Sequence, residues 1–230
     1  MVQLVQRAEP PPLASLPPAQ RKRWDQIVRA ALELLEDGEY DQIQVRDVAK
    51  RADVALGTLY RYFASKEHLY AAVMLLWVNS FNRGLQRKQL PADPGDALKE
   101  LLRRSIAAFV AKPQFLRVEI VMEGSNDPYA RELISQFSGE YASAYDAAYS
   151  DLPEAQRAQI EITIQCVLTK MLHSYALDRV SVERVYDVVL GTVDLIFSPP
   201  PASVVAPART AQRKRAAPSS PKNDKDTTTS

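Results

Sequence analysis

Apolar residues return every three or four positions through most of the chain, the spacing of helices with one buried face. The first such stripe is Trp24, Ile27, Val28, Ala31, Leu32 and Leu35, on a helix that starts near Pro18. Gly38 is expected to close it, since glycine at C′ takes positive φ without strain. A short helix follows over about Val45 to Ala52, with Val45, Val48 and Ala49 inward. Asp53 and Val54 make a tight connection, and a second short helix runs over about Ala55 to Phe63, with Leu59 and Phe63 on one face. Two helices of about two turns, joined by roughly three residues, have helix-turn-helix geometry. Ser65 then stands as N-cap of a long helix, Lys66 to about Lys88, carrying Leu69, Val73, Leu76, Trp77 and Phe81.

The pattern stays helical beyond. Leu98 to Ala111 is one segment, stopped before Pro113, and Gln114 to Glu123 is another, closed by Gly124. Asp127 before Pro128 is a cap followed by proline at N1, and that helix is expected to reach Ser150. Pro153 starts a helix to about Asp178, and Ser181 caps the last, to about Ser198. There is no strand-like alternation with turn chemistry and no internal repeat. The expected fold is all-α, with about nine helices.

Composition sets the boundaries. Eleven of the 16 prolines lie before residue 19 or after residue 198, and few interrupt the middle. Residues 1–19 read as a flexible arm, 20–66 as the helix-turn-helix module and 67–198 as a larger helical domain. Residues 199–230 read as a disordered tail, with six basic side chains against two acidic. Cys166 is the single cysteine, so no internal disulfide forms. No apolar run nears the ~20 residues of a membrane helix, and the expected location is the cytoplasm. Net charge is only +1. Residues 67–198 carry 13 basic and 17 acidic side chains, whereas residues 44–66 carry Arg46, Lys50, Arg51, Arg61 and Lys66 against Asp47 and Asp53. A local basic patch on a weakly acidic body suits phosphate.

The residues of this patch carry a family likeness. Ala30-Ala31, Gly38-Glu39-Tyr40, Val45-Arg46-Asp47-Val48-Ala49, Gly57-Thr58-Leu59-Tyr60-Arg61-Tyr62-Phe63 and Ser65-Lys66-Glu67-His68-Leu69 occur in an order that resembles the DNA-binding region of TetR-type regulators. The resemblance covers about 45 residues. Within the family, Ala52-Asp53-Val54-Ala55-Leu56-Gly57-Thr58 looks like the actinobacterial lipid- and steroid-catabolism branch. The likeness implies a homodimer on a palindromic double-stranded operator, most simply a repressor.

The chemistry of the patch agrees. A recognition helix entering the major groove needs a small N-terminus, which Ala55 and Gly57 provide. Thr58 suits a phosphate or a thymine methyl, and Leu56 an apolar contact with thymine. Tyr60 and Tyr62 offer phenolic donors. Arg61 is the one long cation on this helix and the candidate for a bidentate contact with guanine. Lys66 beside Ser65 makes a phosphate site at a helix start, and Arg46 approaches from the preceding helix. Family members often cap both short helices with Ser or Thr. Here Gln44 and Ala55 stand in those places, a loss of ~1 kcal/mol at each helix start. Asp53 stands where glycine is common.

For the larger domain the likeness implies ligand binding and dimerisation. The last two helices carry stripes of Ile160, Ile164, Val167, Leu168 and Tyr175, then Val185, Val188, Val189, Gly191, Thr192 and Ile196, expected to pair with a second copy. Apolar and aromatic residues for a pocket are Phe109, Phe115, Val118, Met122, Phe137, Tyr141, Tyr145, Cys166 and Met171, with Glu119 and His173 as its polar contacts. The expected effector is a hydrophobic small molecule, acyl- or steroid-like. The alternatives are a partner- or ligand-binding protein on the same frame and, less favoured, an all-helical enzyme. His68 and His173 are the only histidines, no Cys/His cluster has metal spacing, and no phosphate loop or nucleophile elbow occurs. No catalytic residue, metal or cofactor is expected.

Overall fold

The computed structural model describes residues 9–85 and 89–197. Among these every regular element is helical. They are α1 (Pro18–Asp37), α2 (Val45–Arg51), α3 (Leu56–Tyr62), α4 (Lys66–Leu85), α5 (Pro94–Ala111), α6 (Pro113–Glu123), α7 (Pro128–Ser143), the single turn α8 (Asp146–Tyr149), α9 (Glu154–Ala176) and α10 (Val182–Phe197). The expected tail lies outside the described residues.

The first three helices close on a core of Ile27, Val28, Ala31, Leu35, Val48, Ala49, Leu59 and Phe63. Helices α2 and α3 span only seven residues each and have no side-chain cap. Alone they would not persist in water, so packing of α2 on α1 and of α3 on α2 holds them. The connection between them is a Schellman turn. Val54 N–H donates to the Ala49 carbonyl, Asp53 N–H donates to Lys50, and Asp53 takes φ 49°. Aspartate tolerates this left-handed conformation better than most residues do. The same motif ends α9, where Asp178 has φ 54° and Arg179 N–H reaches the Ser174 carbonyl.

Several expectations are corrected. Gly38 does not take positive φ; at φ −154° and ψ −179° it leads out of α1 in extended backbone. Gly124 does close α6 as expected, in ordinary helical backbone at φ −84°. Helix α5 starts four residues before Leu98 because Asp93 caps it, accepting from the Asp96 amide at 2.9 Å, with Pro94 at N1. The helix from Pro128 stops at Ser143 instead of Ser150. Tyr145 turns inward there and donates to Ser105 Oγ at 2.7 Å, which breaks the helical line. Pro10 and Leu16 are buried, and residues 10–14 border a cleft with Trp24, Tyr62, His68 and Tyr129.

The body is a layered bundle. Helix α4 packs most extensively along α7, α9 pairs with α10, and α5 packs on α10. Its centre is aromatic. The Trp77 ring lies 4.8 Å from Phe109 and 5.1 Å from Phe115, and Tyr141 lies 5.8 Å from Phe109 and 5.5 Å from Tyr145. Surface pairs join α1 and its following turn to α6, through Lys112–Glu36 and Arg117–Glu39. Among the described residues no helix is long and apolar enough to cross a membrane.

Candidate functional site

The exposed side of α3 is built by what its other side buries. Leu59 and Tyr62 face the core, so Leu56, Gly57 and Arg61 face outward. Leu56 is 43% exposed, so the leucine there does little for the core. A side chain at Gly57 would meet nothing within 4 Å, so no packing inside the chain requires glycine there. What its bare backbone permits is close approach from outside. Ala55, at the N-cap, and Arg61 are exposed, and Thr58 and Tyr60 are half-buried. Arg61 makes no ion pair among the described residues. Arg46 is exposed and stands 4.0 Å from Asp47.

Two sequence candidates are placed differently. Tyr62 is buried against the module, because it sits one residue from Phe63 on the inward side of α3; its role in the fold is packing. Lys66 turns back, donating to the Tyr40 carbonyl with its ammonium 3.9 Å from the centre of the Tyr40 ring. Burial lowers its pKa, against the pull of Asp41 and Glu67. Its charge therefore lies behind the α4 N-terminus, where Ser65 Oγ accepts from the His68 amide at 2.9 Å.

His68 locks this junction. Its Nδ1 accepts from the Ala64 amide at 3.2 Å, and its ring lies 5.3 Å from both Phe63 and Tyr129. Burial pushes its pKa down to about 4, with Asp127 pulling the other way. For Asp127 itself burial raises the pKa, but hydrogen bonds from Ser65 and the Ala130 and Tyr129 amides outweigh that and hold it low. Between pH 6.5 and about 4 the unfolded chain therefore takes up a proton that folded His68 refuses. This part of the stability is complete above pH 6.5 and fades by up to about 3 kcal/mol as pH falls toward 4. His68→Asn keeps an acceptor for Ala64 without titrating. Urea unfolding at both ends of this range is expected to show a smaller acid loss in the variant, and an equal loss would contradict the assignment.

A cavity of about 900 Å³ opens between α6, α7 and α9. It gathers five of the eleven pocket candidates, Glu119, Phe137, Tyr141, Cys166 and His173. The other six do not line it. Phe109, Phe115, Val118, Met122 and Tyr145 are buried in the core, and Met171 on α9 is half-buried. Periodicity marks an inward face without telling core from cavity wall. It also gives no sign of the polar stripe of α9, Gln165, Thr169 and Lys170, or of Glu123 on α6, all of which line the cavity. The buried Tyr141 hydroxyl lies beside the Tyr145–Ser105 hydrogen bond. Burial and neighbouring Tyr145 raise its pKa strongly.

The dimer stripes divide in the same way. Ile160, Ile164, Leu168, Val185 and Val189 are buried within one chain and need no second copy. Val167, Tyr175, Val188, Gly191, Thr192 and Ile196 are half-buried. Leu195, 82% exposed and outside the expected stripe, extends the line of Val188, Gly191 and Thr192 along α10.

The first three helices make a helix-turn-helix module, joined to an all-helical body with its own cavity. Residues 27–73 match the bacterial regulatory proteins of the tetR family, and this segment is a tetR-family module. Over 56 residues the chain is 52% identical to the HTH-type transcriptional repressor KstR of Mycolicibacterium smegmatis, a match covering 24% of this chain and 28% of that protein. The likeness thus spans little more than a quarter of that curated relative. A TetR transcriptional regulator from Rhodococcus sp. RHA1 shares the fold more widely, with a TM-score of 0.68 and 25% identity over 78% of this chain and 98% of that one. The regulator FadR from Bacillus subtilis, solved in complex with stearoyl-CoA, has a TM-score of 0.57 and 17% identity over 74% and 97%.

Proposed function

We propose that the chain is a sequence-specific DNA-binding transcriptional repressor, a regulator and not an enzyme, working in the cytoplasm as a homodimer on a palindromic operator. The observation that carries this is the outer face of α3. Ala55, Leu56, Gly57, Thr58 and Arg61 present a small, partly apolar, singly charged surface at the N-terminal part of a short helix. That shape suits entry into the major groove. Arg61 reads a base edge, Leu56 meets thymine methyls, and Tyr60 and Arg46 take phosphates. Tyr62 supports them from below, and Lys66 adds charge behind the α4 N-terminus. Binding to duplex DNA is expected to weaken steeply with salt, with a log–log slope of about −0.9 per phosphate neutralised. Salt-independent or absent binding would contradict the reading.

The second copy docks along α10, on the line of Val188, Gly191, Thr192 and Leu195, with Val167 of α9 beside it. An exposed leucine among small residues fits close helix approach. Leu195→Asp is expected to yield a folded monomer by sedimentation equilibrium and to weaken operator binding by more than tenfold, because one half-site then binds without the other. A wild-type chain that is itself monomeric at working concentration would refute the dimer.

The cavity takes a hydrophobic small-molecule effector. Phe137, Ala142, Ile162 and the ring of Tyr141 supply its apolar wall, and its volume suits a large ligand. The stearoyl-CoA held by the neighbour named FadR supports an acyl class. Helix α7 lines the cavity and also packs along α4. An occupant favouring one position of α7 would shift α4 and the distance between the two recognition helices, by no more than its difference in affinity for the two states.

A further inference from the structure

We propose that Glu119, Glu123 and His173 bind a divalent transition-metal ion at the polar end of the cavity. One ligand atom from each of the three lies within 4.8 Å of the others. Glu119 and Glu123 are four residues apart, which puts both carboxylates on one face of α6, and α9 brings His173 against that face. Imidazole Nε2 stands 3.8 Å from Glu119 Oε2, and Nδ1 stands 3.7 Å from Glu123 Oε2. These separations are too long for hydrogen bonds. The Nε2–Glu119 separation is close to the ~3.4 Å between ligand atoms of a tetrahedral ion with bonds of ~2.1 Å, whereas Glu123 stands at the other ring nitrogen.

Two further observations point to a cation. Two like charges at this helical spacing repel, yet among the described residues neither glutamate pairs with a lysine or arginine. Glu119 is largely buried, and its one ion pair among the described residues is with the imidazole. His173 Nε2 is itself buried with no hydrogen-bond partner, the lone pair an ion would take. The alternative countercharge, Lys170, lines the cavity but pairs with neither carboxylate. Glu123 is half-exposed, so a rotamer change is enough to bring it round to the ion on the Nε2 side.

One imidazole with two carboxylates suits zinc, iron(II) or manganese(II) better than calcium or magnesium. Three protein ligands leave a position open toward the cavity. An effector with an oxygen donor at one end would complete the coordination, whereas a purely apolar one would not.

The test uses the full chain, stripped with chelator and dialysed. Zinc is titrated by calorimetry, and cobalt(II) is followed by its visible absorption. One ion per chain is expected, with affinity lowered more than about tenfold in each of Glu119→Gln, Glu123→Gln and His173→Gln. Cys166→Ser must bind as the wild type does, because that thiol also lines the cavity. If His173→Gln fails to fold, the two near-isosteric glutamine variants decide alone. The proposal is overturned if neither ion binds, if the three variants bind unchanged, or if Cys166→Ser abolishes binding. His173 would then be only a charge bridge between two carboxylates.

Discussion

Arg61→Ala is expected to weaken binding to the selected operator by about thirtyfold to twenty-thousandfold. A bidentate arginine–guanine contact discriminates by ~1–3 kcal/mol. A dimer makes it twice, and each 1.4 kcal/mol is a factor of ten. The side chain is exposed on α3 and held by no ion pair among the described residues, so its loss costs the fold little. The variant should therefore melt like the wild type. It should lose discrimination at one base pair in each half-site. Removing a cation that meets only phosphate behaves differently. Arg46→Ala weakens all duplexes alike and reduces the salt slope by about one for each phosphate left without its arginine. Fluorescence anisotropy on the operator and on a scrambled duplex separates the two. Equal weakening on both duplexes in Arg61→Ala would mean that Arg61 touches backbone only.

Phe63→Ala is expected to cost about 3–5 kcal/mol and to unravel the DNA-binding face. Phe63 is fully buried, its ring 5.7 Å from Trp24 and 5.3 Å from His68. It sits at the C-cap of α3, a seven-residue helix without a capping side chain. Such a helix depends on tertiary packing, and Phe63 supplies much of it. Whole domains have only ~5–15 kcal/mol of stability, so this loss is a large fraction. Hydrogen exchange should rise first over α2 and α3, and operator binding should vanish while α9 and α10 stay protected. A variant with unchanged exchange that still failed to bind DNA would show that Phe63 acts at the interface itself, contrary to its burial.

The helix-turn-helix is legible in the sequence because short-range chemistry fixes it. Asp127 before Pro128 announces a helix start, and in the structure Asp127 caps both Tyr129 and Ala130. The same signal stands at Asp93-Pro94, and α5 begins there, ahead of the apolar stripe that starts at Leu98. Glycine is the usual residue for a left-handed position, yet Asp53 and Asp178 hold these positions here. Turn closure depends on the hydrogen bonds of the following residue as much as on the absence of Cβ. The cavity is only half legible. Phe109 and Phe137 have the same chemistry in sequence, and only the packing of α6, α7 and α9 puts one in the core and the other on the wall. Polar cavity residues such as Gln165 and Lys170 read as solvated faces for the same reason. The Glu119–Glu123–His173 cluster joins positions about 50 residues apart in sequence, beyond the reach of local spacing.

The most direct measurement is selection of duplexes from a random pool by the full-length chain. The account predicts a single enriched sequence with two inverted half-sites, centred one or more helical turns apart. A folded, dimeric chain that enriched no sequence, or only an unrepeated half-site, would contradict it.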